Sequence, residues 1–70
     1  MRSIKLPLKI SRQPAAYYIR DSAGVLVGCV YFEDEASRRD LVRLPTRQTA
    51  LEIAQATARA LTERLSGAQG

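Results

Sequence analysis

Polar and apolar residues alternate without error from Ser3 to Ser11, with Ile4, Leu6, Leu8 and Ile10 on one side and Lys5, Pro7 and Lys9 on the other. A period of two over this length predicts a half-buried strand. Pro7 has no N–H to give to a ladder, so the strand belongs at a sheet edge. Lys5 and Lys9 suit that place, because edge lysines oppose sheet-to-sheet aggregation. The segment "SRQP" then breaks the alternation and can act as a hinge, which leaves open an N-terminal arm that pairs with another chain.

Ala15 to Arg20, "AAYYIR", carries the aromatic and branched residues that strands favour. "DSAG" separates it from Val25 to Phe32, "VLVGCVYF". An Asp first and a Gly last predict a hairpin loop whose turn ends in a left-handed residue. Either plausible register of this hairpin sets Tyr17 or Tyr18 opposite Gly28, where a ring can lie over the bare backbone.

Past Phe32 the acidic residues of "EDEASRRDLVRLP" come first and the arginines later. That order complements a helix macrodipole and predicts a short helix over Asp34 to Val42, ending before Pro45. From Thr46 to Leu65 the pattern changes to a helical one. Leu51, Ala54, Ala58, Leu61 and Leu65 form one stripe, flanked by Ala50, Ile53 and Thr57, with Glu52, Gln55, Arg59 and Glu63 opposite. Thr46 can cap this helix, and Thr49 with Glu52 offers a second capping box if it starts later. The expected domain is residues 1–65, with residues 66–70 a flexible tail. The fold class is therefore α+β: a three-stranded antiparallel sheet, then a short helix and a long amphipathic one.

"VLVGCVYF" gives neither face to water, since Val25, Val27, Cys29 and Tyr31 alternate with Leu26, Gly28, Val30 and Phe32. Three strands make a patch roughly 15 Å wide, and one helix about 10 Å across covers one side of it. The pattern leaves open which side the long helix takes. A homodimer covers the other most simply, sheet-packed or swapped through the N-terminal strand. The candidate interface is Leu26, Val30 and Phe32 with Ile4, Leu6, Leu8 and Ile10.

Size strengthens this expectation. A chain of 70 residues buries only about 60% of its unfolded surface, and one small core supplies roughly 3–5 kcal/mol. With a single cysteine, Cys29, and no histidine, neither an intrachain disulfide nor the usual zinc cluster can add to it. The lone Cys29, read as inert core filling, agrees with a reducing compartment. "MRSIKLPLKI" has no continuous apolar stretch of a secretory signal, and no apolar run is long enough to span a membrane. The expected location is the cytoplasm, with no membrane contact.

The absence of histidine removes every Ser-His and Cys-His nucleophile. Glu33, Asp34 and Glu35 are the one acidic cluster, but no calcium-loop spacing surrounds them. Neither an enzyme nor a cofactor is expected. Eleven basic residues against seven acidic ones leave a net charge of +4, modest enough to serve solubility alone. Arg38, Arg39, Arg43 and Arg47 nevertheless cluster, and with Tyr17, Tyr18, Tyr31 and Phe32 they offer phosphate and base contacts to nucleic acid.

The run from Tyr17 to Leu61 resembles a family of short bacterial ββα proteins of unknown function. The likeness lies in the aromatic-acidic "YFEDE" hairpin end at Tyr31–Glu35, the Arg38-Arg39 pair, the Thr46-Arg47 helix start and the alanine-rich helix. Gln48 and Thr49 depart from the family, which tends to be acidic there, as does the longer N-terminal strand. The resemblance implies the hairpin-then-helix order and no activity. The predicted function is a small homodimeric binding or regulatory module, with another protein as a further partner. The alternative is a basic nucleic-acid-binding protein using Arg38, Arg39, Arg43 and Arg47.

Overall fold

The computed structural model describes residues 4–68. Three strands, β1 (Lys9–Arg12), β2 (Ala16–Arg20) and β3 (Leu26–Tyr31), precede two helices, α1 (Ala36–Val42) and α2 (Arg47–Ala68). The strands form one antiparallel sheet in the order β1-β2-β3, so the α+β architecture is the one the residue pattern predicts.

The N-terminal strand is shorter than its alternation suggests. Only Lys9–Arg12 pairs with β2, and Ser3 lies outside the described residues. Pro7 cannot donate to a ladder, so pairing starts after it. Lys5 is held instead by side-chain and turn contacts. Its N–H donates to Asp21 Oδ2 at 3.1 Å, and its carbonyl accepts the Ser22 N–H at 2.8 Å.

The hairpin loop closes as its residues require. Gly24 takes φ +86° and donates to the Asp21 carbonyl at 3.0 Å, while Asp21 Oδ1 accepts the N–H groups of Ala23 and Val25 at 2.9 Å. The expected tyrosine–Gly28 pairing does not occur. Gly28 faces Ile19, Tyr18 faces Cys29 and Arg20 faces Leu26, because an irregularity after Ile19 takes Val27 out of the pairing. No ring or backbone presses on Gly28, since a Cβ there would meet nothing within 4 Å.

The expected start of α1 at Asp34 moves to Ala36, with Glu35 at the cap and no acid in the first turn. Arg43, at φ 57°, ends it and donates its N–H to the Arg39 carbonyl at 2.8 Å. The helix buries none of its residues and packs against none of the other elements. α2 begins after Thr46, whose Oγ1 accepts the Thr49 N–H at 3.1 Å as an N-cap. It continues past Leu65 to Ala68, so the first residues of the expected tail are helical and residues 69–70 lie outside the described chain.

α2 lies across one face of the sheet. Ala50 and Ala54 have no exposed surface, and they meet Tyr17, Ile19 and Phe32, with Leu8, Ile10, Val27, Val30, Leu51 and Ala58 packed around them. The alanines let the helix axis come close to the sheet, and the large residues come from the strands. The Tyr17 and Phe32 rings pack at 5.4 Å in a tilted pair.

Candidate binding surface

The sheet covered on one face by α2 leaves the other face open. Pairing and strand alternation place Lys9, Tyr18, Arg20, Leu26, Cys29 and Tyr31 on that open face. Tyr31 is 53% exposed and Leu26 48% exposed. Cys29, expected as core filling, is exposed here beside Tyr18.

The expected dimer interface is therefore divided. Phe32, 4% exposed, belongs to the core beneath α2, and Val30, Leu8 and Ile10 pack against that core. They cover the chain's own helix and are not free for a partner. Of the hairpin positions, only Leu26 stays open, because the missed pairing at Val27 turns it to the far side. Ile4 and Leu6 are half-buried. β1 pairs with β2 of the same chain.

The arginine cluster is largely engaged within the chain. Arg38 Nε lies 3.6 Å from Glu33, Arg47 is ion-paired with Asp34, and Arg39 Nη2 donates to the Asp34 carbonyl at 3.1 Å. The Arg47 guanidinium also sits 5.3 Å from the centre of the Phe32 ring, and Asp34 raises its pKa further. Glu33 and Asp34 thus hold arginines and do not line the first turn of a helix. Arg43 is exposed at the end of α1 and makes no side-chain hydrogen bond or ion pair among the described residues.

The open face has its own order. Arg20 Nη1 donates to the Gly24 carbonyl at 3.2 Å, and its guanidinium lies 5.4 Å from the centre of the Tyr18 ring. Lys9 stands opposite Arg20 on β1. Hydrogen bonding with Cys29, and the neighbouring Cys29 and Tyr18, hold the Tyr31 phenol above its ordinary pKa. This group of side chains was hidden in the sequence, since the displaced Val27 decides which residues share a face.

β3 is also an edge strand, with β2 on one side only. The Phe32 N–H donates to the Ala15 carbonyl at 3.1 Å, toward β2. Alternation then turns the Cys29 and Tyr31 N–H groups to the free side. On α1, Leu41 is 82% exposed.

Among the described residues no pocket is found, no three potential metal-ligating side chains converge, and no helix is long and apolar enough to cross a membrane. No protein-family model, curated protein or solved structure matches the chain.

Proposed function

We propose that this chain is a non-enzymatic binding module of the bacterial cytoplasm that works as a homodimer joined along β3. The reading rests on the free edge of that strand. Leu26–Tyr31 carries no charge and no proline, two of the devices that keep edges from pairing, and its one irregularity, at Val27, lies before the outward N–H groups of Cys29 and Tyr31. The opposite edge, β1, is four residues long and carries Lys9 and Arg12. An edge left open over Gly28–Tyr31 beside a more guarded one favours pairing through β3 alone, which closes a two-fold dimer and stops there.

Light scattering behind size exclusion, over a range of concentrations, tests this directly. A dimer at all but the lowest concentrations is expected, and a monomer throughout contradicts the reading. Cys29→Pro removes an outward N–H without touching the ladder to β2, so it should give a folded monomer by far-UV circular dichroism.

A further inference from the structure

Resting on the binding-module reading above, we infer that the open face of the sheet takes single-stranded nucleic acid, with bases stacked on Tyr31 and on the Arg20–Tyr18 pair and phosphates held by Lys9 and Arg20. The chemistry of the face points to that class of ligand. Its two cations have no carboxylate beside them on the strands. Asp21, next to Arg20 in the chain, is turned inward and buried, where it accepts three backbone N–H groups. Glu33, the next residue on the Tyr31 side, lies beyond the end of β3 and is engaged by Arg38 and by the Glu35 N–H.

A second copy packed on this face, sheet against sheet, would bury Lys9 and Arg20 without partners, which is costly. An anionic strand neutralises them. Duplex nucleic acid satisfies the cations but keeps its bases paired and stacked, so the exposed rings gain nothing from it.

The geometry supports stacking. Tyr18 faces Cys29, and Tyr31 is two residues beyond Cys29. The two tyrosines are therefore diagonal neighbours about 7–8 Å apart at their Cα atoms. The Arg20 guanidinium over Tyr18 provides a second flat surface, because guanidinium planes stack on bases as rings do. The Gly24 carbonyl takes one of its five N–H groups and fixes the side chain, leaving the others for phosphate. The face runs from an aromatic end at Tyr31 to a cationic end at Lys9, with room for roughly two or three bases. Two copies joined along β3 would continue one face into the other and double the strand they hold.

The test is fluorescence anisotropy of a labelled oligothymidylate and of a duplex of the same length, titrated with the full chain at several salt concentrations. Single-strand binding that weakens with salt is expected. Tyr31→Ala should weaken it roughly five- to a hundredfold, and Tyr31→Phe should restore it. Lys9→Gln with Arg20→Gln should lower the slope of log affinity against log salt by about 1.4. Alkylation of Cys29 should slow when the oligothymidylate is bound. Four outcomes overturn the inference: no binding at low salt, equal binding of duplex, equal binding of polyglutamate, or affinity unmoved by Tyr31→Ala but lost with Arg43→Gln. Light scattering of the same samples separates the two proposals. A monomer that still binds through Tyr31 ends the dimer reading and keeps this one, whereas a dimer that ignores the oligonucleotide does the reverse.

Discussion

Arg47, the first residue of α2, is fastened to Asp34 while its guanidinium lies 5.3 Å from the centre of the Phe32 ring. Phe32 is the inward-facing residue just past β3, so a single side chain joins the end of the sheet to the start of the long helix. The Arg39 bond to the Asp34 carbonyl and the Glu33 N–H bond to the Pro45 carbonyl, at 3.0 Å, close the same junction. α1 is the connection that this junction spans, which explains how it can remain in place without packing on the sheet.

Substitutions at the junction should rank by what each removes. Arg47→Lys keeps the charge but loses the flat guanidinium over Phe32, and Arg47→Ala loses both, so the melting temperature falls a little and then further. Phe32→Ala empties a core position at a cost of about 3–5 kcal/mol, comparable with the whole contribution of so small a core, and should leave the chain largely unfolded. Thermal melts by circular dichroism check the order. Added salt should narrow the gap between wild type and Arg47→Ala, because Asp34 and Arg47 are both part-exposed.

Asp21 should make stability depend on acid. The Val25 N–H, chiefly, with those of Lys5 and Ala23 and the Lys5 charge, holds its carboxyl below the ordinary value of 3.8, while burial acts the other way. A group whose folded pKa is depressed contributes stability that is complete above its unfolded value and is lost as pH falls through the folded one. Asp21→Asn can still receive the loop N–H groups on its single oxygen, but it turns an amide donor toward the Lys5 N–H. The variant should melt several degrees lower at neutral pH. The gap should shrink below pH 3.8 as wild type loses the same interaction. A gap independent of pH would show that the charge of Asp21 is not what ties Lys5 down.

Much of this fold is written in residues that act locally. The Asp21–Gly24 loop, the Thr46 cap and the alanine stripe of α2 each depend on neighbours within a few positions, and each forms where the pattern places it. The open face depends on a longer-range detail. Strand alternation alone puts Leu26 with Val30 and Phe32, but the missed pairing of Val27 sends Leu26 to the side of Cys29 and Tyr31. Gly28, next to Val27, is the one sign of a bulge in "VLVGCVYF", since a glycine inside a strand often marks one, but which residue leaves the pairing is not written there. The surroundings of the arginines were hidden for a related reason. Their clustering in sequence is plain, but their engagement by Glu33 and Asp34 follows from where the chain turns between β3 and α2.

The close approach of α2 to the sheet predicts a low tolerance for size at Ala54. The residue has no exposed surface and stands against large strand side chains. A leucine there must push the helix off the sheet or leave its preferred rotamer, at a cost of roughly 1–3 kcal/mol. At Ile53, one residue along and largely outside the contact, a change to Leu should cost far less. Chemical denaturation of Ala54→Leu and Ile53→Leu, with midpoints compared at equal slope, separates packing at the helix–sheet contact from general helix effects.

The two hairpin glycines should respond in opposite ways to the same substitution. Gly24 has open space around its missing side chain but sits at φ +86°, so Gly24→Ala meets backbone strain, which costs on the order of 1–2 kcal/mol. Gly28 lies in a strand opposite Ile19, with nothing within 4 Å of a new Cβ, and its backbone is not in the left-handed region. Gly28→Ala therefore restricts the unfolded chain without strain in the folded one and should raise stability by roughly 0.4–1 kcal/mol. Melting temperatures of the two variants moving in opposite directions would confirm this assignment. A destabilising Gly28→Ala would mean that a ring or a second backbone does approach that strand in solution, and would return Gly28 to the role its sequence context first suggests.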